Sequence, residues 1–344
     1  MISIFPNDLR KKLRFARNFL GRRMVHVNLQ ILYNCNFRCG ICDFWKDTYR
    51  DKGRLSTAEA GMISDKLNTI GPQIISIGGG EPMLHPELVP IVSELGRHHF
   101  PVMITNGSLV TEALARQLWQ AGMVEISVSL DYADPKKHDA QRGKPGAFAQ
   151  GVEALKILHA TRTQPEQRVN MISVIVDDNL DEVEPLIEMS RDMGITYLVT
   201  LYSHSRGTKP ARDPASDPST RLLELKQRHR HFVALRGYLE KFSAAVNRTD
   251  SARCHAGRHL CNIDCRGDVS FCIDRMEKLS GNILTDEMGA IASRLLANHR
   301  VNDCRECWTS CRGSIESVLY GRQRLRNVWD YYQMTRPVPL QGSF

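Results

Sequence analysis

Three cysteines, Cys35, Cys39 and Cys42, lie close together in the run Tyr33-Asn34-Cys35-Asn36-Phe37-Arg38-Cys39-Gly40-Ile41-Cys42. Thiolates at this spacing hold a metal centre, and three of them on a four-iron cluster leave one iron without a protein ligand. An open iron can bind a substrate or a cofactor, so such a cluster is a reagent. A closed zinc site wants four ligands, and no nearby His or Cys supplies the fourth. Cys254, Cys261, Cys265, Cys272, Cys304, Cys307 and Cys311 form a second group, with none between Cys42 and Cys254. Tight groups are how metal sites distribute cysteine, so a reducing, cytoplasmic compartment is expected. For the second group structural zinc stays open, because C-x2-C pairs joined by a hairpin make zinc ribbons.

Other polar residues cluster after apolar runs. Gly78-Gly79-Gly80-Glu81-Pro82 lets a ligand approach the backbone, where exposed amide and carbonyl groups can grip an amino acid moiety. Thr105-Asn106-Gly107 and Ser127-Val128-Ser129-Leu130-Asp131 place hydroxyl, amide and carboxylate groups suited to sugar hydroxyls. Arg142, in His138-Asp139-Ala140-Gln141-Arg142-Gly143, offers a bidentate fork for a carboxylate.

The C-x3-C-x2-C arrangement resembles the radical S-adenosylmethionine (SAM) enzymes, whose open iron chelates the amino and carboxylate groups of the cofactor. The resemblance implies that a reduced [4Fe–4S] cluster cleaves the bound sulfonium to methionine and a 5′-deoxyadenosyl radical, which abstracts hydrogen from a substrate carbon. It assigns the cluster to Cys35, Cys39 and Cys42, the cofactor's amino group to Gly79, Gly80 and Glu81, and its ribose to Ser129 and Asp131; Thr105 and Asn106, polar groups at the end of a neighbouring strand, are expected at the same cofactor site. It gives the cofactor's carboxylate to Arg142. Ile41 stands where the family usually has an aromatic residue, so adenine contact falls to its backbone, to Phe44, and to Ile172, Val174 and Leu201.

The second group reads C-x12-G-x4-C from Cys254 through Gly267 to Cys272, then Cys304-x2-Cys307-x3-Cys311. It resembles the SPASM and twitch extensions, which carry auxiliary four-iron clusters. Two fully ligated clusters need eight thiolates and this segment has seven, so one auxiliary [4Fe–4S] cluster is expected. By the twitch pattern its ligands are Cys254, Cys272, Cys304 and Cys307, with Cys261, Cys265 and Cys311 as alternates. Asp274 could accept a proton from a substrate radical. His204 and His255 read as ordinary polar side chains, and Trp308 and the aromatic tail from Trp329 to Tyr332 as packing.

Such side chains need a scaffold that gathers loops on one face. From Val25 the sequence alternates short β-branched runs with amphipathic segments, the pattern of βα units and a parallel sheet. Strands are expected over Val25–Leu32, Gln73–Ile77, Val102–Ile104, Val124–Leu130, Val169–Val176 and Thr196–Leu201. Ser56 and Glu59 suit a capping box, Asn179 a helix cap, Gly122 and Gly194 helix stops, and Arg221 to Phe242 the final barrel helix. The expected fold is α/β: a partial (βα)6 TIM-like barrel over 25–249, followed by a cysteine-rich iron–sulfur domain over 250–320. A basic helix occupies 1–24 and a helical tail 321–344. Right-handed crossovers put the loops after the strands on one face.

The chain has 344 residues and a formal charge of +8, which favours anionic partners without choosing among them. Arg10, Lys11, Lys12, Arg14 and Arg17 interleave with Leu9, Leu13, Phe15 and Leu20, compatible with peripheral membrane contact, with an acidic partner, or with a helix packed on the barrel. No apolar run is long enough to span a bilayer, there is no signal peptide, and no nucleic-acid module is present. About two dozen residues precede the first strand, too few for a folded leader-binding module. A small metabolite or lipid-linked substrate is therefore expected, with an oxidative outcome, dehydrogenation or bond formation, and an electron donor such as flavodoxin or ferredoxin. The alternatives are maturation of a ribosomally made peptide through a leader-binding partner, and a noncatalytic electron carrier or scaffold. Against the carrier stand the glycine loop, Ser129 and Arg142, because a carrier has no need to bind an amino acid and a ribose.

Overall fold

The computed structural model describes residues 9–46, 49, 53–203, 209–214, 217–249, 253–321, 324–334, 336–338 and 340. Six strands form where the β-branched runs lie: β1 (His26–Leu32), β2 (Ile74–Gly79), β3 (Phe100–Thr105), β4 (Glu125–Ser129), β5 (Arg168–Ile175) and β6 (Thr196–Leu201). All pair in parallel, in chain order. Every residue of β1 is buried, as in a parallel strand covered on both faces. The crossovers carry α2 (Thr57–Ile70), α3 (Leu88–Gly96), α4 (Glu112–Gln120), α5 (Pro135–Arg142), α6 (Ala147–Ala160) and α7 (Val183–Asp192). This is the expected partial (βα)6 barrel.

The Ser56–Glu59 capping box forms at the start of α2. Two local expectations do not hold. Asn179 caps no helix; its amide donates to the Asp131 and Val174 carbonyls and its oxygen accepts from Val176 N, because a buried loop backbone needs partners more than a short turn needs a cap. The stretch from Arg221 to Phe242 is broken into α8 (Pro218–Arg228), α9 (Arg236–Leu239) and α10 (Phe242–Val246), with an intervening segment bridged to β6 through Tyr197 and Phe232.

The cysteine-rich segment continues the barrel sheet. Its first strand, β7 (Leu260–Ile263), pairs in parallel with the free edge of β1, and β8 (Asp268–Ser270) and β9 (Leu279–Asn282) add an antiparallel meander. The sheet order is β6-β5-β4-β3-β2-β1-β7-β8-β9. One hydrophobic core, holding residues as far apart as Met24, Val199, Ile263 and Leu295, serves both parts. Then follow α11 (Met288–Val301), α12 (Ser310–Tyr320) and α13 (Arg324–Met334). Ile315 and Leu319 of α12 pack on Val25, Ile74, Phe100 and Val124, residues at or just before the starts of β1 to β4. Thus α12 plugs the N-terminal end of the barrel and the other end is left to the loops.

The basic helix α1 (Leu9–Leu20) also packs at the plugged end. Phe15 is buried edge-to-face on Phe100 at 5.6 Å, contact worth about 1.5–3 kcal/mol in burial. Lys11 Nζ donates to the Gly96 and His99 carbonyls at 3.1 and 3.0 Å, and Asn18 to the Ile70 carbonyl at 2.7 Å, satisfying the open ends of α3 and α2. Of the three readings of this segment, the helix packed on the barrel describes these contacts. Leu9, Leu13 and Leu20 remain exposed.

Candidate functional site

The cluster loop leaves the C-terminal end of β1. Tyr33, Phe37, Ile41 and Phe44 are buried and anchor it from within. Its backbone is pinned by Trp45 Nε1 to the Cys39 carbonyl at 3.1 Å and by Gly40 N to the Gln141 carbonyl at 2.9 Å. Cys39 is buried, and Cys35 and Cys42 are half-buried; none of the ten cysteines is in a disulfide. Burial pushes the Cys35 thiol up to about 12, with the neighbouring Glu81, Cys39 and Cys42 adding to the rise. Thiols that hinder one another's ionisation become stable thiolates only beside a cation, which a bound iron cluster provides. The donor set therefore fits the group.

The glycine loop lies directly on this backbone. Gly80 N donates to the Leu32 carbonyl at 3.0 Å and Glu81 N to the Asn34 carbonyl at 2.9 Å. A Cβ on Gly79, whose φ is +118°, would stand 1.9 Å from the Leu32 oxygen, and one on Gly80 would stand 2.0 Å from the Asn34 oxygen. Gly78 is different, since its Cβ would meet only Gln30 Oε1 at 3.5 Å. Glu81 is 2% exposed and accepts from Thr105 Oγ1 at 2.6 Å, Asn106 N at 2.8 Å and Met83 N at 3.1 Å. Asn106 Nδ2 in turn donates to Asn36 Oδ1 of the cluster loop at 2.9 Å. The side chains of Glu81, Thr105 and Asn106 form a brace that ties the ends of β2 and β3 to the cysteine loop.

Asp131, just past β4, is fully buried. Its Oδ2 accepts from Arg142 Nη2 at 2.5 Å and Gln141 Nε2 at 2.7 Å, and its Oδ1 from Val174 N at 2.9 Å. Both carboxylate oxygens are occupied by protein donors, so Asp131 aims the guanidinium. Arg142 also bonds Cys39, while its Nε is buried without a partner. A buried donor left unmet costs about 1–3 kcal/mol, and a ligand carboxylate would satisfy it. Ser129 is half-buried at the end of β4, and none of the bonds that fix Asp131 uses its hydroxyl. His138 accepts from Asp131 N at 3.2 Å, with burial lowering its pKa to about 4, so it is neutral. Ile172 and Leu201 are buried near the ends of β5 and β6.

Sequence reasoning missed Gln141, Arg212 and Tyr132. Arg212 Nη1 donates to Gln141 Oε1 at 2.8 Å and pairs with Asp177 and Asp178 at 2.7 and 2.9 Å, and Tyr132 donates to Asp178 at 2.5 Å. Gln141 and Tyr132 are neighbours of Arg142 and Asp131 in the sequence, whereas Arg212, in the loop after β6, carries no local signal.

The second cysteine group divides. Cys254 N donates to the Cys304 carbonyl at 2.9 Å, and Asp274 N to Cys272 Sγ at 3.3 Å. Cys272 feels the charges of Cys307 and Cys254, and Cys307 those of Cys254 and Cys304; burial is the main cause that holds both thiols up. Beneath them the buried Arg312 reaches the Cys307 carbonyl at 2.5 Å and pairs with Glu316 at 3.2 Å, a cation that sequence reasoning also missed. Cys261 lies apart in β7, 3.7 Å from Met24 Sδ. Cys311 faces Asn28 at 3.6 Å in the barrel lumen, and Cys265 is buried at the turn after β7. A zinc ion draws its thiolates within about 4 Å of each other. Among the described residues no three His, Cys, Asp or Glu side chains converge to hold one metal ion. Asp274 accepts from Ser203 Oγ at 2.8 Å. His255 stacks on Tyr320 at 4.1 Å, and His204 lies outside the described residues. Trp308 packs, its Nε1 donating to the Tyr238 carbonyl at 2.9 Å, whereas Trp329 and Tyr332 of α13 stand exposed.

A family model described as the radical SAM superfamily matches residues 29–190, from β1 into α7. Mycofactocin maturase MftC of Mycolicibacterium smegmatis is 30% identical over 317 residues, spanning 86% of this chain and 79% of the relative. The chain belongs to the radical SAM superfamily. It is thus a radical SAM enzyme, of a family that works with S-adenosylmethionine and a [4Fe–4S] cluster. An AdoMet-dependent heme synthase of Methanosarcina barkeri is 29% identical over 170 residues, 48% of this chain and 46% of that one. Among solved structures, Streptococcus suis SuiB bound to precursor peptide SuiA superposes with a TM-score of 0.64 at 16% identity, covering 85% of this chain and 71% of that one. Native anSMEcpe with bound AdoMet does so with a TM-score of 0.62 at 15% identity, covering 90% and 95%. These two likenesses establish the radical SAM barrel as the fold. No helix among the described residues is long and apolar enough to cross a membrane.

Proposed function

We propose that this radical SAM enzyme matures a peptide, holding its reactive cluster on Cys35, Cys39 and Cys42 and an auxiliary four-iron cluster on Cys254, Cys272, Cys304 and Cys307. When bound, the reduced cluster and S-adenosylmethionine supply a 5′-deoxyadenosyl radical that takes hydrogen from an unactivated carbon. The observation that carries the site assignment is the unmet Nε of Arg142, held by Asp131 beside Cys39. In this reading Arg142 receives the cofactor's carboxylate, and the backbone of Gly79 and Gly80 its amino group. Ser129 meets the ribose. Asp131, Glu81, Thr105 and Asn106 position these groups, and Tyr33, Phe37 and Phe44 keep water from the site. Asp274 is our candidate to take a proton from the substrate. An electron donor of the flavodoxin or ferredoxin kind would reduce the reactive cluster.

The peptide reading replaces the small-metabolite expectation because similarity to proteins named maturases runs through the cysteine-rich segment as well as the barrel. SuiB, of the same fold, holds a precursor peptide. The four-cysteine set is supported by the mutual electrostatic reach of those thiols, with Cys261 placed apart.

The test uses anaerobically reconstituted protein with dithionite and S-adenosylmethionine. Wild type should release 5′-deoxyadenosine, and protein with Cys35, Cys39 and Cys42 changed to Ala should release none. Release by that variant at the wild-type rate would overturn the site. A candidate precursor peptide should change in mass only with the wild type; if phosphorylated or lipid-linked metabolites change and no peptide does, the substrate class is wrong while the radical site stands.

A further inference from the structure

At the end of the barrel remote from the Cys35–Cys42 loop, a cleft of about 700 Å³ opens between the start of β5, the segment joining α8 to α9, and α13. Its walls carry Arg168, Lys226, Arg230, Arg236, Arg326 and Arg336 against one carboxylate, Asp330. That carboxylate is spent on α9: its Oδ2 accepts from Arg236 N at 3.1 Å and lies 3.8 Å from Arg236 Nε. The same Nε is buried and makes no hydrogen bond. Arg168 is 6% exposed and turns one nitrogen to the Arg336 carbonyl at 3.0 Å, and Lys226 Nζ donates to the Phe232 carbonyl at 2.6 Å. These hydrogen bonds go to neutral acceptors, and the opposing charges within reach are few: Asp330 for Lys226 and Glu125 for Arg168. The crowding is felt: burial lowers Lys226 to about 8 although Asp330 opposes the fall, with Arg236 adding to it, and burial lowers Arg162, behind Arg168, to about 10 with Arg168 adding. Desolvated cations are kept in proteins when something pairs with them.

We propose that this cleft binds a phosphate-bearing ligand, its dianionic group seated among Arg168, Lys226, Arg236 and Arg336. Several guanidinium forks and an ammonium converging on one space match a group with three acceptor oxygens and more than one negative charge, where a single carboxylate would leave most donors unmet. Trp329 lines the cleft and is 60% exposed, and Leu325 and Val328 stand exposed on the same helix, so apolar surface adjoins the anion site. The phosphate can thus come from a lipid headgroup or from a soluble phosphate ester. The cleft opens at the start of β5, whose eight residues run about 25 Å toward the face that bears the cysteines, so its ligand is not the substrate of the radical.

The test titrates iron-loaded protein with inorganic pyrophosphate by calorimetry at physiological salt, with sodium chloride at equal ionic strength as the reference. Wild type should bind one saturable equivalent. Lys226→Met with Arg236→Gln should weaken binding about tenfold or more, and Arg336→Gln, at an exposed position, about threefold or more. Both variants should release 5′-deoxyadenosine as wild type does, which separates failure of this site from failure of the radical site. Displacement of pyrophosphate by phosphatidic acid vesicles, and not by phosphatidylcholine vesicles, would assign a lipid headgroup. No displacement would assign a soluble ester, and either result keeps the site. Absence of saturable pyrophosphate binding to wild type, or equal binding by both variants, would overturn it.

Discussion

Gly80→Ala should disable radical generation while Gly78→Ala should not, although both add one methyl to the same glycine run. At Gly80 the new Cβ would stand 2.0 Å from the Asn34 oxygen, 2.4 Å from its carbon and 2.6 Å from the Tyr33 oxygen, all backbone atoms that no rotamer change can move. Real Cβ atoms essentially never come nearer than 3.0 Å to such atoms, so the glycine loop and the cysteine loop must part by about 1 Å or more. That shift would break the hydrogen bonds from Gly80 N and Glu81 N that hold the two loops together. A misplacement of about 1 Å at a positioning contact costs roughly a hundredfold in rate. At Gly78 the nearest atom is the end of the Gln30 side chain at 3.5 Å, ordinary contact. The assay is single-turnover release of 5′-deoxyadenosine from reconstituted protein, with far-ultraviolet circular dichroism to show that each variant is folded. Equal rates for the two folded variants would refute the idea that backbone proximity of the two loops sets the cofactor's position.

Arg142→Lys retains the charge that faces Asp131 but loses the fork, and should weaken S-adenosylmethionine binding by about 1.5–3 kcal/mol with iron content unchanged; an unchanged dissociation constant would return Arg142 to a structural role. Wild type should reconstitute with about eight irons, falling to about four when Cys254, Cys272, Cys304 and Cys307 are replaced, whereas Cys261→Ser should keep all eight. Stoichiometric zinc in place of the second four would make the auxiliary site structural. Buried His99 donates to the Ser64 carbonyl at 2.8 Å and accepts from Gln73 N at 3.1 Å, and burial lowers its pKa to about 4. Its neutral form therefore stabilises the fold fully above pH 6.5, and as pH falls toward 4 the unfolded chain gains a proton that the native site refuses. The loss at pH 5 is about 2 kcal/mol, so unfolding free energies from urea titrations at pH 7 and 5 should differ less in His99→Gln than in wild type by that amount; identical pH dependence would refute it.

The sequence alone determined the alternation that builds the parallel barrel, the capping box on α2, and the placement of cysteines and glycines in loops after strands. These are local properties: strand and helix periodicity, cap chemistry and motif spacing act within about a dozen residues and need no distant partner. Tertiary structure decided which groups meet. Glu81, Thr105 and Asn106 were expected on the cofactor together, yet the Glu81 carboxylate accepts from the Thr105 hydroxyl and the Asn106 backbone N–H, because a buried carboxylate takes the donors that folding places beside it. Asp131 faces Arg142 and Gln141 for the same reason. Spacing could not place the seven later cysteines; the parallel pairing of β7 with β1 carries Cys261 into the core beside Met24. Composition likewise left α1 between a membrane and the barrel, and Phe15, Lys11 and Asn18 settled its docking because the open ends of α2 and α3 lay within their reach. Partner choice across a hundred residues is a property of the packed interior, where every buried donor must find an acceptor, and no window of sequence contains it.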